Sequence, residues 1–173
     1  MIMRARSILI LLAFILSIIF SVIALYMVVD SYQKKKEAYL TIPTFSLINL
    51  NGKIISDKIL EENKPILFYF FDPGCELCRS AFSNINKSLL EFSDKQMVFF
   101  TIQPPDTISA YLKQIDFVPP ANMQILIDEE AELVSLMEIK GPPSSLIYNK
   151  YGHLVKRFDG PVKTETLMHY LSE

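Results

Sequence analysis

The chain has 173 residues, half of them hydrophobic, with 17 basic and 19 acidic side chains and a formal net charge of −2. That length leaves room for one folded domain and little more. With no basic, aromatic-interleaved stretch, a nucleic-acid partner is excluded.

The hydrophobic excess is concentrated at the N-terminus, where no charged residue falls between Ser7 and Val29. At about 1.5 Å rise per residue, a helix of that run crosses a bilayer with some tilt. It is longer than the roughly 7–15 apolar residues of a cleaved secretory signal. Val22-Ile23-Ala24 resembles a cleavage site, yet the apolar stretch continues through Val29. Residues 1–29 are therefore expected to be a retained signal anchor that ties the chain to the membrane. Arg4 and Arg6 precede it and belong in the cytoplasm by the positive-inside rule, whereas Lys34, Lys35 and Lys36 on the far side argue the reverse.

Residues 30–43 read as a polar tether whose lysine run is solvated, within reach of anionic headgroups. The rest, residues 44–173, is the folded domain. Beyond Val29 the charge is about −4, because both arginines that precede the span are removed from the balance. Thr44 to Leu50 alternates partly, Asn51-Gly52 offers a tight turn, and Lys53 to Ser56 returns, which is a β-hairpin signal. Asp57 to Asn63 reads as a short helical turn. Pro65 to Phe71 is apolar on both faces, as in a central strand of a covered sheet.

Cys75-Glu76-Leu77-Cys78 follows, and these are the only two cysteines. An amphipathic helix is expected from Cys75 to Phe92. A cysteine at a strand-to-helix junction sits where unpaired backbone N–H groups and the helix dipole favour a thiolate. With a second thiol in reach, that thiolate can attack a disulfide and the pair can resolve the mixed intermediate. A zinc site needs about four ligands. Only His153 and His169 are available to join the cysteines, each alone in its own element, so no metal or other cofactor is expected. Persistent disulfide chemistry belongs outside the cytoplasm. This decides the orientation: a single-pass protein of the cytoplasmic membrane with its C-terminal domain outside, in the periplasm where an outer membrane exists.

Downstream, Gln96 to Ile102 is the next buried strand. Asp106 is placed to cap a helix through Gln114 with Ile108, Tyr111, Leu112 and Ile115 on one face. Met123 to Ile127 is a third strand, and Asp128 is placed to cap a helix over Glu129 to Ile139. Gly141-Pro142-Pro143 breaks the chain. Ser144 to Tyr148 and His153 to Phe158 are strands joined by a hairpin turn, and Thr164 to Leu171 is a final helix. The order is a β-hairpin followed by β-α-β-α-β-α-β-β-α, an α/β fold with a mixed sheet covered by helices on both faces. A cysteine pair after the first core strand and a proline before the closing hairpin fit a thioredoxin fold.

On these residues the chain resembles the membrane-anchored TlpA/ResA-like branch of the thioredoxin superfamily, over roughly Thr44 to Glu173. Thr44 to Lys53 looks like the family's N-terminal hairpin, and Phe70 to Arg79 occupies its active-site turn. Gly141 to Val155 resembles its cis-proline strand and hairpin. The distance from Cys75 to Pro143 leaves room for the helix and strand this branch inserts. The resemblance implies that Cys75 is the nucleophile, Cys78 the buried resolving thiol and Pro143 the cis-proline beside them. It also implies a thiol–disulfide oxidoreductase acting on apocytochrome c or another extracytoplasmic protein, recharged by a membrane electron donor of the CcdA or DsbD type.

The chain departs from the family at several positions. Gly74 stands where tryptophan is usual, and Leu77 replaces the common proline, while Glu76 has precedent. Ala81 replaces an acidic residue thought to assist proton transfer. Pro142 precedes the cis-proline where threonine is usual, and without an N–H it cannot donate to a substrate backbone. Glu76 and Asp72 place negative charge near Cys75, opposed by Arg79 and the helix dipole. A thiolate less stabilised than in a strong oxidant such as DsbA is expected, and hence a reductant. Two other readings fit the pair less well. A Sco-like copper chaperone uses wider cysteine spacing and a histidine ligand, and no histidine precedes the Pro143 strand. A peroxiredoxin expects Thr or Ser three positions before the nucleophile, where Asp72 stands.

Overall fold

The computed structural model describes residues 2–37 and 39–173, and the side chains of 2–10, 13 and 32–37 lie outside that description. The chain divides into two units, Met1–Glu37 and Ala38–Glu173. The first is one helix, α1 (Ile2–Glu37), apolar and long enough over Phe14–Ser31 to cross a membrane. It extends into the stretch expected to be a polar tether. The end of that stretch is tied to the second unit: Ile42 N–H donates to the Gly152 carbonyl, Leu154 N–H to the Leu40 carbonyl, and Thr41 bridges His153.

The second unit is built on a seven-stranded sheet in the order β2-β1-β5-β4-β3-β6-β7. The hairpin is β1 (Ser46–Asn49) and β2 (Ile54–Ser56), closed by Gly52 at φ +73. Asn49 Oδ1 accepts from the Asn51 and Lys53 N–H groups, fixing that turn. The centre is β3 (Ile66–Phe70), β4 (Gln96–Thr101) and β5 (Met123–Ile127), mutually parallel. β6 (Ser144–Tyr148) and β7 (Leu154–Asp159) add an antiparallel hairpin beside β3.

Every residue of β3, β4 and β6 is buried. Their apolar runs lack alternation because both faces are covered. One face holds Leu67, Tyr69, Phe71, Met97 and Phe99 under α2 (Glu76–Lys87), α3 (Pro105–Gln114) and α5 (Thr164–Leu171). The other holds Ile66, Phe68, Phe70, Val98 and Phe100 under the short α4 (Glu132–Leu136), with Tyr39, Ile42 and Leu60 packed alongside. Helices on both faces are observed, but unequally.

Three expected helices end or begin elsewhere. α2 stops at Lys87 and the chain continues as a 3-10 turn over Leu89–Phe92, which still buries Phe92 completely. Asp106 does not cap α3. Pro104 is the N-cap and Pro105 the first helical residue, where a missing N–H costs nothing, so Asp106 lies inside the first turn. The Glu129–Ile139 helix shrinks to five residues because Ala131 and Glu138 both adopt left-handed backbone, φ 55 and 49. Asp128 is nevertheless the acceptor at that helix start, taking the Val134 N–H at 2.8 Å. Arg157 caps the other end by donating to the Met137 and Glu138 carbonyls.

Candidate active site

The parallel β3 delivers the chain to the dithiol. After Phe71 the strand ends at Asp72-Pro73, and the Cys75 N–H donates back to the Asp72 carbonyl at 3.1 Å, closing a turn. Cys75 is the N-cap of α2 in extended backbone, φ −81 and ψ 120, and its Sγ accepts the Cys78 N–H at 3.3 Å. The sulfur thus sits on the orphan donors and positive end of a three-turn helix. Cys78, Ala81, Phe82 and Ile85 recur at helical spacing and are the buried face of α2. That stripe drives Cys78 into the core, where it is 1% exposed, and leaves Cys75 half-buried at the rim. Burial pushes the Cys78 thiol up to about 12, a cost of forming an anion away from water.

Phe82 fixes this geometry. Its ring contacts Phe71, Phe99, Tyr111 and Phe117 with centroids 4.8–5.9 Å apart, three of the four edge-on. The helix that carries both thiols is therefore anchored to β3, β4 and α3 through one side chain.

The Pro142–Pro143 peptide bond is cis. Pro142, without an N–H, still presents its carbonyl, and the Cys75 Sγ–H donates to it at 3.8 Å. The structure thus brings Cys75, Cys78, Pro142 and Pro143 together, with Gly74 in the turn before Cys75. Glu76 lies exposed in the first turn of α2 and makes no ion pair among the described residues. Arg79 turns back to donate to the Pro73 carbonyl at 3.5 Å.

Asp72 stands beside the dithiol, where its charge works against an anion at Cys78. Its carboxylate accepts the Gly74 N–H at 2.6 Å and the Gln103 Nε2–H at 2.8 Å. It therefore braces the turn as well as placing negative charge at the site. Gln103, from the loop after β4, is a site residue that the sequence pattern did not single out, since no motif marks it. The absent tryptophan also has a local reason. A Cβ built on Gly74 would lie 3.0 Å from Asp72 Oδ1, so any side chain there crowds the carboxylate that holds the turn. Ala81 is buried against the core, so the site has no carboxylate there.

Neither histidine joins the thiols. His153 begins the return of the β6–β7 hairpin, at the end of the sheet away from Cys75, and His169 on α5 lies 3.5 Å from Glu173. Among the described residues no three His, Cys, Asp or Glu side chains gather as metal ligands.

A family model described as the AhpC/TSA family matches residues 40–157. The thiol-disulfide oxidoreductase ResA of Bacillus cereus is 23% identical over 152 residues, covering 86% of this chain and 85% of that protein. StoA from Bacillus subtilis aligns in structure with a TM-score of 0.62 at 18% identity, covering 78% of this chain and 99% of that one. Peroxidoxin BcpB from Mycobacterium tuberculosis aligns with a TM-score of 0.65 at 11% identity, covering 76% and 94%. The architecture is the thioredoxin fold with an N-terminal hairpin and an inserted α3–β5. StoA and a peroxidoxin both share that fold. The matched family model spans more than half of the sequence, so the chain belongs to the AhpC/TSA family, and the ResA relative it resembles there is a thiol–disulfide oxidoreductase.

Proposed function

We propose that this thiol–disulfide oxidoreductase is a membrane-tethered, extracytoplasmic reductant of protein disulfides. Residues 1–29 are its anchor, 30–43 its tether and 44–173 its catalytic domain. The observation that carries the reading is the pairing of a half-exposed Cys75 at the N-cap of α2 with a buried Cys78 one turn on, beside cis-Pro143. Cys75 attacks the client disulfide, forming a mixed disulfide and releasing one client thiol. Cys78 then attacks Cys75, closing the Cys75–Cys78 disulfide and releasing the second client thiol. Pro142, Pro143, Gly74 and Glu76 shape the surface on which the client lies. The family resemblance points to apocytochrome c or another extracytoplasmic protein as client, with a membrane thiol donor of the CcdA or DsbD type restoring the dithiol.

The redox midpoint of the full-length protein, read by thiol alkylation across a dithiol buffer series, tests the direction. A value near about −270 mV supports a reductant, whereas one near about −120 mV makes the protein an oxidant. A reporter fused after Glu173 that is active only in the cytoplasm would overturn the orientation. The peroxidase alternative is disfavoured by Asp72 at the position three before Cys75, its carboxylate already occupied by Gly74 and Gln103. Rapid peroxide consumption by the reduced protein would restore it.

A further inference from the structure

Among the described residues, two buried hydroxyls have no hydrogen-bond partner: Tyr69 Oη and Ser145 Oγ. Tyr69 and Ser145 are direct partners across the antiparallel β3–β6 ladder, which puts their side chains on one face of the sheet. Tyr69 shares its cluster with Cys78, Ala81 and Phe82, and its ring lies 4.8 Å from that of Phe99. Ser145 is two residues beyond cis-Pro143. An unpartnered buried hydroxyl costs about 1–3 kcal/mol, and phenylalanine would fill the same space without that cost. This core uses phenylalanine freely, at positions 68, 70, 71, 82, 99 and 100. A hydroxyl at 69, in the core cluster that also holds Cys78, asks for a function.

The resolving step supplies one. Cys78 attacks as a thiolate, and burial disfavours that anion. With Ala81 in place, no acid on α2 faces it from that position. The groups facing Cys78 are Cys75, Asp72, Tyr69 and Tyr111, with a hydrogen bond from the Asp72 backbone also favouring its anion, and those facing Tyr69 are Cys75, Cys78 and Tyr111. Burial, then the charge of Cys78, holds the Tyr69 phenol well above its ordinary range, so it remains a neutral donor while Cys78 ionises.

We propose that Tyr69, assisted by Ser145, is a positioning residue whose hydroxyl donates a hydrogen bond to the Cys78 thiolate as it forms in the resolving step. The inference rests on the oxidoreductase reading above. In that step the Cys78–Cys75 S–S bond forms and the Cys75–client S–S bond breaks. Cys78 passes from thiol to disulfide, Cys75 remains disulfide-bonded throughout, and the client sulfur leaves reduced and takes up the proton that Cys78 gave up. Tyr69 keeps its own proton throughout.

The test uses the full-length chain in detergent and the aromatic disulfide 5,5′-dithiobis(2-nitrobenzoate). Attack by Cys75 releases one coloured thiolate, and resolution by Cys78 releases a second in a later phase. Tyr69→Phe and Ser145→Ala are compared with the wild type across a pH series, alongside thermal unfolding. Tyr69→Phe is expected to leave the first phase unchanged and slow the second about tenfold, with its pH profile displaced to higher pH. Ser145→Ala should slow the second phase less. Stability should hold or rise in both, since each loses an unpartnered polar atom. A second phase with wild-type rate and pH profile in Tyr69→Phe overturns the inference. A wild-type chain with a first phase and no second removes the oxidoreductase reading itself, and this inference with it.

Discussion

The two thiols should react on very different timescales, and the difference can be worked from burial. A thiol with the ordinary value of 9.0 is ionised in about one molecule in ten at pH 8, whereas one at about 12 is ionised in about one in ten thousand. The thiolate is the reacting species. In the folded, reduced protein Cys78 should therefore be alkylated by iodoacetamide about a thousandfold more slowly than free cysteine in the same buffer. Its 1% exposure slows it further. Cys75, half-buried at the rim, takes the first adduct. A quenched time course at pH 8, digested and read by mass spectrometry, gives both rates, with the denatured protein as the control in which they converge. Labelling of Cys78 within tenfold of free cysteine in the native protein would refute the reasoning, because it would mean that α2 does not hold Cys78 in the core.

The same burial couples to stability. The unfolded Cys78 releases its proton near pH 9 and the folded one only near 12. Between those values the unfolded state binds fewer protons, and unfolding free energy falls as pH rises. Urea unfolding of the reduced protein should show a decline over that window that Cys78→Ser lacks; equal slopes would sink the assignment. Phe82→Ala removes the side chain that anchors α2 and should cost about 3–5 kcal/mol, read by urea denaturation. A loss under about 1 kcal/mol would show that α2 is held by other contacts. Gly74→Trp should weaken the Asp72 brace and broaden the proton signals of the 72–78 turn, and Gly74→Ala should do so less; unchanged spectra for both would remove the steric account of Gly74. Glu76→Gln, which removes the anionic charge beside the N-cap, should speed alkylation of Cys75, and an unchanged rate would take Glu76 out of the site.

Much of the fold was legible because its signals are local. Ile66–Phe70 and Met97–Phe100 are uninterrupted apolar runs, and only a strand covered on both faces needs that. Thr164–Leu171 matches its expected bounds. The Cys75–Cys78 spacing sets one sulfur on the helix cap and the other one turn below, and α2 does the same. What escaped the sequence depends on tertiary partners. The region after Asp128 has helical spacing at Leu133, Leu136 and Met137, but left-handed backbone at Ala131 and Glu138 cuts it short, with Leu136 left exposed. Gln103 reaches Asp72 across 31 positions, and no local pattern announces such a bond. Tyr69 was hidden among phenylalanines. Only its burial without a partner, and its place opposite Ser145, set it apart.

The ties from Leu40 and Ile42 to Gly152 and Leu154 lie at the Tyr148 end of β6, and the dithiol lies at the Ser144 end, beside Phe70. A five-residue strand, on the order of 15 Å, separates the two. The first residues of this unit are thus pinned to a hairpin that carries neither sulfur, and the length of β6 stands between that fixed point and the reactive pair.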